Sequence, residues 1–156
     1  HSASTARMVS QNRFRYLNSM TTVTKSGNQT LTNQATTDIT WDTETFDTDG
    51  LHDPATDSGR RLTAALDGKY LVLGALRYAA NATGNRYIVF QKNGVGSMAS
   101  MAVKALSATD ETIAAFFTLA VLVAGDYVKA QGYQDSGGDL AVTSAQSLFG
   151  MTYLGE

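Results

Sequence analysis

The stretch FDTDGLHDP, Phe46 to Pro54, gathers three aspartates, the internal histidine and the chain's one proline. Asp42, Glu44, Asp47, Asp49, Asp53 and Asp57 follow one another with no Lys or Arg between them. Clustered carboxylates raise one another's cost of ionisation, and a divalent cation relieves it. Asp47, Asp49 and Asp53 are therefore candidate calcium ligands. The EF-hand pattern fails, because Leu51 stands where an oxygen ligand is needed and no glutamate follows at the required spacing. The competing reading is a solvated acidic loop of Asx-turns in which Gly50 takes a positive φ.

His52 has the chemistry of a general base but needs a nucleophile or a metal to serve. Ser58 is near in sequence, yet no GxSxG elbow or other nucleophile motif exists. One internal histidine also excludes a three-histidine zinc site within one chain. GVGSMAS, Gly94 to Ser100, lacks the Lys-Ser/Thr of a phosphate loop. Asn28 and Asn81 head N-x-T sequons, which matter only in a glycosylating host. No catalytic residues emerge, and no cofactor is expected beyond the calcium candidate. Aromatic residues offer binding chemistry instead. Tyr78, Tyr87, Tyr127 and Tyr133 fall on expected strands, and Trp41 precedes the acidic loop. Exposed, such rings stack on sugars or partner proteins; buried, they are core.

The elements that must position these residues are set by composition and periodicity. A chain of 156 residues with 43% hydrophobic content supports one compact domain over 1–156, with 1–12 as a flexible or docking arm. A net charge of −2 and scattered basic residues leave no footprint for nucleic acid or an anionic membrane. No cysteine is present, which removes disulfides and thiolate chemistry together. The most apolar run, Ile113 to Gly125, is shorter than the roughly 20 residues that span a bilayer, so no membrane insertion is expected. No signal-peptide pattern opens the chain, and the leading His1 suggests processing or excision from a longer protein.

RFRYL, Arg13 to Leu17, alternates in the manner of a half-buried strand, and Ser26 to Asn28 read as a turn. Further strands are expected at Gly68–Tyr78, Arg86–Gln91, Thr112–Gly125, Asp126–Tyr133 and Ser147–Leu154, with Asn93-Gly94 as a tight hairpin turn. SMASMAVKALSATDETIAAF is the one rival helix, and it lacks a clean apolar stripe. The class is all-β: an antiparallel jelly-roll sandwich of two sheets.

The strand in TIAAFFTLAVLVAG is apolar on both sides. Ile113, Ala115, Phe117, Leu119, Val121 and Val123 share one face; Ala114, Phe116, Thr118, Ala120, Leu122 and Ala124 share the other. A solvated sandwich strand carries polar residues outside. The second face needs cover, either from a long loop of the same chain or from another subunit. Phe116, Phe117, Leu119, Val121 and Leu122 are the candidate residues of a subunit interface.

The ordered segments resemble a known superfamily. A Gly-x-Tyr opens a central strand (Gly68, Tyr70), and an arginine-containing strand ends in Lys92-Asn93-Gly94. An apolar strand then runs into Gly125-Asp126-Tyr127-Val128, and a last strand holds Phe149-Gly150. From 38 to 155 this is similar to the trimeric jelly roll of complement globular heads and tumour-necrosis-factor-like ligands. The lead-in WDTETFDTDGLHDP resembles bacteriophage and prophage versions. The resemblance implies a homotrimer packed about an apolar axis, and assembly and binding rather than catalysis. In phages it implies a part of the virion surface: head decoration, head fibre, tail fibre or spike. The expected partners are then other copies of the chain, other virion proteins and a host-surface glycan or receptor. A secreted or cell-surface recognition module of the same fold is the alternative.

Overall fold

The computed structural model describes residues 19–156. RFRYL and the proposed arm lie outside the described residues. Twelve strands are formed there, in chain order: β1 Met20–Thr24, β2 Gln29–Leu31, β3 Thr37–Asp38, β4 Thr43–Asp47, β5 Arg61–Thr63, β6 Gly68–Tyr78, β7 Asn85–Lys92, β8 Val95–Lys104, β9 Thr112–Leu122, β10 Tyr127–Gln134, β11 Leu140–Val142 and β12 Leu148–Gly155. A short 3-10 turn at Thr56–Gly59 precedes β5.

The first sheet runs β2-β11-β6-β12-β1-β4, with β9 on the free side of β6; the second runs β3-β10-β7-β8, with β5 also on β10. Every pairing between these strands is antiparallel. The two sheets form a jelly-roll sandwich, the expected class. The rival helix is β8 and the start of β9, as the missing apolar stripe implied.

Alternation decides which side chains meet between the sheets. Tyr70, Val72, Leu76 and Tyr78 of β6 face inward with Phe149 and Met151 of β12, and Ile88 and Phe90 of β7 close over them. Gly74 sits among these inward positions, and a Cβ there would come within 2.9 Å of Ile88 and 3.0 Å of Phe90. Its missing side chain leaves room for its cross-strand partner Phe116 to stack on Phe90, with centroids 4.4 Å apart. The hairpin between β7 and β8 turns at Asn93 (φ 52°) and Gly94 (φ 72°), the positive-φ pair that Asn-Gly supplies at low cost.

Candidate functional site

The apolar strand resolves into an inner and an outer face. Leu122 is 1% exposed, and Phe116 is half-buried in the stack with Phe90. Leu122 belongs to this chain's own interior, which corrects its place among the interface candidates, and Phe116 leans inward with it: successive residues of a strand point to opposite faces. Phe117, Leu119 and Val121 point the other way and are 71%, 68% and 71% exposed. No segment among the described residues covers them.

The register across the sheet extends this surface. Phe117 lies opposite Leu73, Leu119 opposite Leu71, and Ala115 opposite Ala75; Ala75 in turn faces Leu148 of β12. Beside the ridge of Phe117 and Leu119 lies a hollow of about 410 Å³, walled by Leu71, Leu73, Ala75, Ala115 and Leu148 and reaching Gly74 and Phe116. A ridge and a hollow thus sit side by side on one sheet face.

The edges of the sandwich point the same way. Among the described residues β8 pairs only with β7 and β9 only with β6, which makes both edge strands there. No charged residue occurs from Val95 to Val103 or from Thr112 to Leu122. Exposed edges are ordinarily blunted with charge or proline, because unpaired N–H and C=O groups invite another strand. Here two long edges carry neither.

Two motifs of the sequence meet at one corner. Asn93 Nδ2 donates to Asp126 Oδ1 (2.7 Å), and Asp126 Oδ2 accepts from Lys92 Nζ (2.8 Å) and the Val123 N–H (3.0 Å). Asn93 Oδ1 accepts the Tyr127 N–H in return (2.9 Å). The Lys92 ammonium, the Asn93 amide and the Val123 N–H hold the Asp126 carboxyl down to about 2. This corner fastens the β7–β8 hairpin to the end of β9.

The acidic loop turns inward on itself. Asp47 accepts the N–H of Leu51 (3.0 Å) on Oδ1 and that of His52 (2.9 Å) on Oδ2. Asp53 accepts from the Ala55 N–H and the Thr56 hydroxyl, which hold its carboxyl below the usual range. Asp49 lies in the bend after β4 and makes no hydrogen bond among the described residues. No group of three or more His, Asp or Glu that could hold a metal ion is formed among the described residues. The geometry gives Asp47 and Asp53 the work of shaping turns.

His52 is buried, with Nδ1 2.9 Å from Glu44 Oε1 and Nε2 3.3 Å from the Gly59 carbonyl. Both ring nitrogens are occupied, and none is left for a serine. Trp41 and Tyr78 are fully buried: Trp41 stacks on Phe149, and the Tyr78 hydroxyl donates to the Tyr87 carbonyl. They are core, not ligand contacts. Tyr87, Tyr127 and Tyr133 are half-exposed on the outer face of the second sheet.

Sequence reasoning missed Arg86. It is fully buried, and its guanidinium donates to the carbonyls of Thr83 (2.9 Å), Asn85 (3.0 Å) and Asn81 (3.1 Å). One cation thereby holds the whole NATGN turn. Its even spacing with Ile88 and Phe90 was the available signal.

No family model matches the chain, and no curated protein matches it. Solved structures do. Eiger TNF from S. frugiperda superposes with a TM-score of 0.64 at 16% identity, covering 88% of this chain and 92% of that one. Murine APRIL at pH 5.0 gives 0.64 at 11% identity, covering 86% and 98%. The fold is the TNF/C1q-like jelly roll. The globular domain of zebrafish complement 1qA shares it, at 0.61 and 13% identity over 88% of this chain and 98% of that one. In this TNF/C1q-like frame, β6, β9 and β12 build the exposed apolar face, and β7 and β10 the tyrosine-bearing one. Among the described residues no helix is long and apolar enough to cross a membrane.

Proposed function

We propose that the protein is a non-enzymatic, homotrimeric structural and binding module. The observation that carries this is the uncovered apolar face of β9, β6 and β12. Burying a large apolar side chain is worth roughly 1.5–3 kcal/mol, and Phe117, Leu119 and Val121 forgo most of it in the isolated chain. Because ridge and hollow lie beside each other, the ridge of one copy fits the hollow of the next. Such a head-to-tail contact closes into a ring when the rotation allows. The resemblance to trimeric jelly rolls supports three copies.

The finer reading places this trimer on a bacteriophage particle, as a head decoration or fibre or a tail-associated spike. Its support is the lead-in WDTETFDTDGLHDP. The alternative, favoured by the TNF- and complement-like neighbours, is an extracellular recognition module. Incubation with purified phage heads and tails, followed by co-sedimentation, separates them: saturable binding to either supports the virion role, and binding to neither removes it. The trimer is tested separately by analytical ultracentrifugation of wild type and Leu119→Asp. Wild type should sediment as one trimeric species and the variant as folded monomer; a monomeric wild type would exclude the proposal.

A further inference from the structure

The outer face of the second sheet has a chemistry unlike that of the apolar face. Along β10, Tyr127, Lys129, Gln131 and Tyr133 alternate outward, and the register sets Tyr133 opposite Tyr87 and Gln131 opposite Val89. The rings of Tyr87 and Tyr133 meet edge to face, 5.2 Å between centroids. Next to them on β8 stand Ala102 and Ser100, paired with Tyr87 and Val89, so small residues form a low shelf beside the aromatic pair. The hydroxyls of Tyr87, Tyr127 and Tyr133 make no hydrogen bond among the described residues.

The charges on this face are largely settled within the chain. Lys129 Nζ lies 2.8 Å from Asp38 and 2.6 Å from Asp57, and Gln131 Nε2 donates to Asp38 (2.7 Å). Two cations are exceptions: Lys104 on β8, opposite Asn85 and without an ion pair among the described residues, and Arg61 on β5. The Arg61 guanidinium packs over the Tyr127 ring at 4.8 Å, makes no ion pair among the described residues, and its Nε is buried without a hydrogen-bond partner.

The geometry points to an oligosaccharide-binding platform on this face, centred on Tyr87 and Tyr133 and bounded by Gln131 on β10 and Lys104 on β8. Aromatic rings give an apolar surface for the C–H faces of a sugar, while phenol hydroxyls and a planar amide meet its hydroxyls. A chain neutral across most of the platform presents no field to hold a nucleic acid or a highly charged peptide. Lys104, without an ion pair among the described residues, adds one place for the carboxylate of an acidic sugar. Tyr87 and Tyr133 lie on the opposite sheet from Phe117 and Leu119, so association through the β9 face leaves this pair open. The inference rests on reading the protein as a recognition module, but not on its being trimeric.

The test is an array of defined bacterial and mammalian oligosaccharides probed with the full chain. It is followed by calorimetric titration of the strongest hit with wild type, Tyr133→Ala, Tyr87→Ala and Lys104→Gln. Light scattering and thermal melting are recorded on the same samples. The expected result is a defined glycan whose affinity falls about tenfold or more in a tyrosine variant, with mass and melting temperature kept. Lys104→Gln, which removes one exposed cation, carries the test if a tyrosine variant fails to fold. For an acidic glycan it should weaken binding at least severalfold, and for a neutral one Gln131→Ala takes its place. No glycan retained, or a glycan bound equally by all variants, overturns the platform. An intact trimer in that experiment would leave the assembly reading standing, so the two failures are distinguishable.

Discussion

Single residues in this chain divide by what they fasten. Asp126 joins three donors from two turns, so Asp126→Ala should lower stability by about 1–3 kcal/mol, read as a shift in the urea midpoint. The pH dependence follows from its depressed carboxyl. The folded value of about 2 lies below the unfolded one of about 3.9, so the contribution is complete above the unfolded value and is lost as pH falls through about 2. The gap in melting temperature between wild type and Asp126→Asn should therefore narrow as the pH is lowered from about 4 to 2. Asp47 predicts a contrast of another kind. Asp47→Ala strips acceptors from two N–H groups and should lower the melting temperature, whereas EDTA should leave that of wild type unchanged. A drop with EDTA would support the calcium candidate. That Asp126 mattered was legible in Gly125-Asp126-Tyr127; that it grips Lys92-Asn93 was not, because a contact between residues 33 apart is set by topology.

At the level of elements, β6, β7, β9, β10 and β12 were legible because their apolar alternation and Gly/Asn punctuation agree. The short strands β2, β3 and β11 were not, since two or three residues carry no period. Periodicity also showed that β9 has two apolar faces without showing which one is outside. That depends on which partner strands the second sheet places over it. Arg86 belongs to this scale as well, because it holds the β6–β7 turn. Arg86→Met leaves three carbonyls without their donor and should destabilise by about 2–4 kcal/mol in equilibrium denaturation. A change below about 0.5 kcal/mol would mean the turn is held by other contacts. On the proposed reading the two outer faces divide the labour: the apolar β9 ridge and its hollow suit other copies, and the tyrosine pair of the second sheet suits a ligand.

For the whole molecule, the fold explains why one sandwich can serve as a rigid, assembled scaffold. An inner core of Tyr70, Val72, Phe90 and Phe149 fixes the sheets, and two uncharged edges with an apolar face remain to be covered. The sign of an aspartate placed on β9 separates the two roles. Leu119→Asp should break assembly while the chain stays folded, because that side chain is already outside. Leu122→Asp should unfold the chain, because it would bury an unpaired charge. Circular dichroism with gel filtration distinguishes the two outcomes. The most direct measurement is the mass of the wild-type protein by light scattering at micromolar concentration. Assembly through the β9 face predicts a single species at about three times the 16.6 kDa chain. A clean monomer would contradict it.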